Sequence, residues 1–280
     1  MNKLTPTLDA QKTARFRQDS AAAANAPRAT RAMLFTKLTR PCRIPLVSEN
    51  HPDNSGYEKY YLDKNPPTAE FYRKKARGYR RRFARILDAE DISSVLDLGC
   101  GTGLLASYLA GRGCATVVGV DLNEQLIDAA RRNVAAEFVA DDAIHYTETC
   151  GRTFDLVFLL DLLEHLDREQ VVQLLANVRN ILNDGRFAIV RVPNLNCIHA
   201  IGKFYVDWTH RTPFTEGALL HAAKLAGFSR VELCGQFRMQ NFKGQVKACI
   251  RTVLTKLLLW LRGGHKVSVY YPNIIAKLYK

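Results

Sequence analysis

Between residues 91 and 235, short apolar runs alternate with stretches of helical period, the pattern of strands joined by crossover helices. The runs predict strands at Ser94 to Leu98, Thr116 to Val120, Glu137 to Ala140, Leu156 to Leu160, Phe187 to Val192 and Arg230 to Leu233. Helical period fills the gaps over Gly103 to Ala110, Glu124 to Asn133, Arg168 to Leu182 and Glu216 to Ala226. Six strands with crossovers make a doubly wound α/β sheet, and Asn273 to Tyr279 is placed to add a seventh. Ahead of this block, Ala69 to Leu87 reads as a helix, apolar at Phe71, Tyr72, Tyr79, Phe83 and Ile86 and densely basic between them. Behind it, Gln245 to Arg262 reads as an amphipathic helix. Its apolar arc holds Val246, Cys249, Ile250, Val253, Leu254, Leu257, Trp260 and Leu261, opposite Lys247, Arg251 and Arg262. Packing of that arc on the domain is the preferred reading, and contact with a membrane surface is the second.

The predicted organisation is a basic, largely disordered arm (1–55), an N-terminal helical segment (56–90), the α/β domain (91–235) and a basic C-terminal segment (236–280) that includes the last strand. Charge follows the same divisions: the net charge of +13 divides into +10 over residues 1–90, −6 over 91–235 and +9 over 236–280. Basic flanks around an acidic centre fit an anionic partner such as a lipid headgroup, a nucleic acid or a phosphorylated substrate. The arm's Ala, Thr and Arg content also suits a transit peptide or a start set ahead of Met33, and the non-targeting readings are preferred. Apolar runs such as Leu257 to Leu261 fall far short of the roughly 20 residues that cross a bilayer. The seven cysteines are scattered without a C-x-x-C pair, so a reduced, cytoplasmic setting is expected, and no metal ligands are assigned.

Val95-Leu-Asp-Leu-Gly-Cys-Gly-Thr-Gly103 is a buried strand ending in a glycine turn that opens a helix, where backbone can approach a ligand closely. The glycines fall at 99, 101 and 103, and Leu104 stands where a dinucleotide fingerprint needs its third glycine. Nicotinamide cofactors are therefore disfavoured. The motif resembles that of class I S-adenosylmethionine-dependent methyltransferases, and the resemblance continues in order over about half the chain. Gly119-Val-Asp121, Phe138 to Ala143, Phe154 to Leu166 and Ile181 to Asn194 stand where that family has its second, third, fourth and fifth strand motifs. The resemblance implies a Rossmann-like methyltransferase sheet of seven strands with S-adenosylmethionine as cofactor. It places Asp97, Gly99, Cys100, Gly101, Thr102 and Gly103 at the amino acid moiety and Asp121, with Leu122, at the ribose. Asp142 and Ala143 fall at the adenine, with Asp141 as the other register, and Leu160 falls beside the cofactor.

The acceptor half is carried by fewer residues. Asp161 and His165 lie four apart just beyond the fourth strand, at the edge where ligands bind in open sheets. The segment Tyr205 to Gly217 holds Asp207, Trp208, His210 and Arg211 close together. His210 is the first candidate for a substrate-facing base, His165 the second, and Asp161 a carboxylate alternative. Against these stands a purely structural reading in which Trp208 and Phe214 pack down as a lid while Thr215 caps the next helix.

This loop and the basic, leucine-rich tail resemble a bacterial methyltransferase group found with surface polysaccharide biosynthesis. The leading expectation is O-methylation of a glycan or small-molecule hydroxyl by a cytoplasmic enzyme, with peripheral contact at the inner membrane face through 245–262. The rivals are a quinone or isoprenoid-lipid methyltransferase, an RNA methyltransferase, and a non-catalytic cofactor-binding subunit. Nucleic acid is disfavoured because the fourth motif reads Asp-Leu-Leu-Glu and lacks a Pro-Pro-aromatic run.

Overall fold

The computed structural model describes residues 55–234, 242–261, 263 and 267–280. The predicted arm, except its last residue, lies outside the described residues.

The chain begins with helices α1 (Ser55–Lys64) and α2 (Ala69–Ala89) and enters the sheet at β1 (Ser94–Leu98). There follow α3 (Leu104–Ala110), β2 (Thr116–Asp121), α4 (Glu124–Asn133), β3 (Glu137–Ala140), α5 (Ala143–Thr149), β4 (Phe154–Leu160) and a 3₁₀ turn (Leu163–His165). The second half holds α6 (Arg168–Ile181), β5 (Leu182–Pro193), α7 (Ile198–Val206), α8 (Glu216–Leu225), β6 (Arg230–Cys234), α9 (Phe242–Leu261) and β7 (Asn273–Tyr279). The strands form one sheet in the order β3-β2-β1-β4-β5-β7-β6. The first five are parallel, whereas β7 runs antiparallel between β5 and β6, with Ile189 opposite Lys277 and Leu233 opposite Ala276. The expected seven-strand, Rossmann-like sheet is present. Its last strand makes it mixed, and that strand stands inside the edge.

Helices cover both faces, so the central strands are largely apolar, as two-sided burial requires, with Asp97 of β1 and Asp155 of β4 the buried acids among them. One core joins α5, α6 and α8 to the sheet through Tyr146, Leu174, Val178 and Leu219. The other joins α2, α3 and α4 through Phe83, Leu109 and Ile127, and the Phe83 ring meets Phe158 of β4 edge-on at 5.2 Å. Side chains in the sequence end these helices: Thr68 caps α2, Asn123 caps α4, an Asp167–Gln170 capping box opens α6, and Thr215 caps α8 as expected.

Sequence periodicity missed α1, α5 and α7, each ten residues or fewer. It also ended a helix at Leu182 and began the fifth strand at Phe187, where β5 already pairs Leu182 with Phe154. The C-terminal helix is present, but its apolar arc is not the packed face. Ile250, Val253, Leu254, Leu257, Trp260 and Leu261 are exposed, while Thr255 is buried and Thr252 and Leu259 are half-buried. The preferred packing of that arc is therefore corrected. The side chains of Lys247, Arg251 and Arg262 lie outside the described residues.

Candidate functional site

The carboxyl ends of β1, β2 and β4 meet where the order of strands reverses, and the glycine turn lies there. Gly99 and Cys100 donate from their N–H groups to the Val120 carbonyl at 2.8 and 3.0 Å, which ties the turn to β2. Gly99, Gly101 and Gly103 have φ of 72°, 54° and 74°, the left-handed region in which a side chain is strained. Close approach is a second constraint: a Cβ on Gly101 would stand 2.1 Å from the Tyr61 hydroxyl oxygen of α1, and one on Gly119 would meet Phe138 and the Cys100 sulfur.

Two carboxylates flank this turn. Asp121 accepts from Gly101 N–H at 2.8 Å and from Asn123 N–H at 2.9 Å, and burial raises its pKa against those two bonds. Asp97 is 2% exposed, and its Oδ2 has no hydrogen-bond partner among the described residues. Burial, then the nearby Asp121 charge, pushes Asp97 up to about 8. The Thr102 hydroxyl is also buried and has no partner among the described residues, while the Thr102 carbonyl accepts from Tyr72 of α2. A buried, unpaired carboxylate oxygen is costly unless something cationic completes it. These residues therefore fit a ligand whose cationic group meets the Asp97 oxygen and whose diol reaches Asp121. Leu122 is 65% exposed beside them, an apolar wall open to a planar ring.

The proposed adenine end has its own local tasks. Asp142 caps α5, accepting from Ile144 and His145 N–H at 2.8 and 3.1 Å, and Asp141 pairs with the His145 ring at 2.9 Å. Ala143 and Leu160 are half-buried. Only the second oxygen of Asp142 lies outside the cap.

Beyond β4, Asp161 has φ of 58°, the one positive value outside glycine among the described residues. Its carboxylate is held bidentately by Arg191 of β5, with Nε to Oδ1 at 2.6 Å. The structure thus places Asp161 in an ion pair. Next in the 3₁₀ turn come Glu164 and His165. The Glu164 carbonyl accepts from Arg211 and Thr212 N–H at 2.7 and 3.1 Å, and Thr212 Oγ1 donates to the Leu166 carbonyl at 2.7 Å. These bonds stitch the loop after α7 onto the turn and bring His210 against His165, with ring centroids 4.7 Å apart.

His210 Nδ1 donates to the Phe204 carbonyl at 2.9 Å. The Thr209 hydroxyl donates to Asp207 at 2.6 Å, so it accepts from His165 Nδ1 at 2.8 Å. His210 thereby carries a proton on Nδ1 and presents Nε2 3.9 Å from Asp207 Oδ2, while His165 Nδ1 is held at the Thr209 hydroxyl. Burial, then the His210 charge, lowers the His165 pKa. Glu164 is 1% exposed, its Oε2 has no partner among the described residues, and burial raises its pKa well above the carboxylate range. The predicted lid is corrected in one half: Phe214 is buried, but Trp208 is 96% exposed. The predicted bases His165 and His210 come together, while Glu164 between Asp161 and His165 was passed over. Its only signal was the adjacent Glu164–His165 pair three residues beyond Asp161.

Residues 95–185 match the family model described as a methyltransferase domain. The matched stretch is about a third of this chain. The chain is 39% identical over 93 residues to a ubiquinone biosynthesis O-methyltransferase of Neisseria meningitidis, a match covering 30% of this chain and 38% of that protein. It is 33% identical over 114 residues to methyltransferase GfsG of Streptomyces halstedii, covering 38% of this chain and 40% of that protein. The chain thus spans about two fifths of the length of these curated relatives. A SAM-dependent methyltransferase from Archaeoglobus fulgidus superposes with a TM-score of 0.56 at 24% identity, over 79% of this chain and 99% of that one. A plantazolicin methyltransferase solved with SAH gives 0.52 at 17% identity, over 82% and 91%. Likeness at these identities makes the fold that of a class I methyltransferase.

Proposed function

We propose that the chain binds S-adenosylmethionine at the glycine turn and methylates a hydroxyl oxygen of a quinone-type or other isoprenoid-linked acceptor. The observation that carries the reading is the unpaired, buried Asp97 oxygen beside the Asp121 carboxylate, two acids around a glycine turn. The cofactor supplies an already activated sulfonium methyl, so the protein must chiefly align the acceptor and handle its proton. Asp97 would face the amino acid moiety and Asp121 the ribose diol. Leu122, Ala143 and Leu160 would line the adenine, with Asp142 at its amine. The imidazoles of His165 and His210 stand together at the same sheet edge, where an acceptor hydroxyl would lie.

The resemblance of the loop and tail to a polysaccharide-associated group favoured a glycan or small-molecule hydroxyl. The named O-methyltransferase relative acts in ubiquinone biosynthesis, and α9 carries exposed Val253, Leu254, Leu257, Trp260 and Leu261, a surface suited to an acyl or isoprenoid tail. Both support the lipid-linked acceptor. Labelled methyl transfer to fractionated quinone-precursor, glycolipid and RNA pools tests the proposal. Label in the quinone pool is expected. Label confined to glycolipid or RNA would overturn the acceptor class, and cofactor binding without label in any pool would leave a binding subunit.

A further inference from the structure

Glu164, His165 and His210 each offer one ligand atom, and the three atoms lie within 4.8 Å of one another. Ligands at about 2.1 Å from a shared ion stand at most about 4.2 Å apart, so a small side-chain adjustment closes the set. Three features besides proximity distinguish this cluster from a chance grouping of polar residues. Glu164 Oε2 is buried without a partner, an arrangement that a bound cation would relieve. Arg191, whose charge acts on Glu164, is committed to Asp161 and does not fill that role. Both imidazoles already have the outer support that metal-binding histidines use: the Phe204 carbonyl holds His210 Nδ1, and the Asp207-supported Thr209 hydroxyl holds His165 Nδ1.

We infer that Glu164, His165 and His210 form a site for a divalent first-row transition ion at the carboxyl edge of β4, beside the methyl-transfer centre. Two imidazoles and one carboxylate suit zinc, iron(II), cobalt(II) or manganese(II), and they leave coordination positions open. The inference rests on the proposed function for its consequence: an acceptor hydroxyl in an open position is acidified, and its proton passes to solvent, so neither imidazole has to serve as the base.

The test uses the full chain, stripped with chelator and titrated with cobalt(II) alone under visible absorption, then with zinc(II) by calorimetry. About one equivalent is expected, with d–d bands of a nitrogen- and oxygen-ligated ion. His210→Ala and His165→Gln should each abolish the bands. Thr209→Val, which removes only the outer support, should weaken binding by about 10- to 100-fold. Glu164→Gln is the direct test of the carboxylate, and the two histidine variants keep the test valid if that buried change impairs folding. S-adenosylmethionine affinity, measured on every variant, should change less than about threefold, since none of them touches the glycine turn. A wild-type chain that binds the cofactor but neither metal overturns the ion site and leaves the methyltransferase reading standing. Metal binding that survives in both histidine variants overturns the ligand assignment. Metal binding without cofactor binding overturns the function and spares the ion site.

Discussion

Asp97 and Gly101 show what single positions decide at the cofactor end. Because burial and Asp121 hold Asp97 up to about 8, the carboxyl is protonated at neutral pH before a cation arrives. A cationic ligand beside it favours the ionised form, so binding releases a proton below pH 8. Cofactor affinity should therefore rise by up to about tenfold per pH unit from pH 6 toward 8 and then level off. The ligand's own amine titrates in the same range, so the informative quantity is the part of the slope lost in Asp97→Asn. Calorimetry from pH 6 to 9 on both proteins reads it, and equal slopes would remove Asp97 from the site. The same raised pKa makes stability from this group greatest below the unfolded carboxylate value, and it is lost as pH rises through about 8. Gly101→Val places a branched side chain at φ 54° and against Tyr61. The backbone strain alone costs about 1–3 kcal/mol. Equilibrium dialysis should show loss of cofactor binding together with a lowered melting temperature, and unchanged binding would contradict the assignment of the turn. Asp121→Ala should weaken the cofactor by about 1–3 kcal/mol in the same assay, since a charged acceptor is lost.

Among the elements, β1, β4 and β5 are held in register at their amino ends by one carboxylate. Asp155 accepts from the backbone and hydroxyl of both Ser93 and Ser94 at 2.9–3.1 Å, and from Asn183 at 2.9 Å. Burial opposes ionisation there, but the bonds from Asn183, Ser93 and Ser94 outweigh it and hold the pKa below the usual range. A depressed folded-state pKa contributes stability above the unfolded value of about 3.9 and loses it as pH falls toward the folded value. Asp155→Ala should cost about 1–3 kcal/mol at pH 7 by denaturant unfolding, a gap that narrows below about pH 4. A constant gap across that range would mean that its ionisation contributes nothing to stability. At this scale the sequence was legible wherever an element was long and doubly covered. Strand β4 announces itself through five consecutive apolar residues, Leu156 to Leu160. Short α5 and α7 do not, because seven or nine residues carry too few turns for a period, and their ends are set by neighbours.

For the whole molecule, no helix among the described residues is long and apolar enough to cross a membrane, yet α9 exposes a row of large apolar side chains. If that surface meets the lipid carrying the acceptor, Leu257→Glu with Trp260→Glu should abolish cosedimentation with anionic vesicles and leave cofactor affinity unchanged. Wild-type chain that stays in the supernatant would assign the row to a different contact.

The local pattern was enough to determine the doubly wound sheet, the glycine turn with Asp97 and Asp121, and the Thr215 cap, because each depends on residues adjacent in sequence or on a repeat of two or 3.6. It could not place β7 between β5 and β6, since antiparallel insertion is decided by which edge is left open once the other strands have paired. Nor could it join Glu164 and His165 to His210. Some 45 residues separate them, and bonds made across the fold, such as those from Arg211 and Thr212 N–H to the Glu164 carbonyl, bring the loop onto the turn. Tertiary packing also decided the face of α9. A helical arc shows which side chains are apolar, but contact at Thr255 left that arc in solvent.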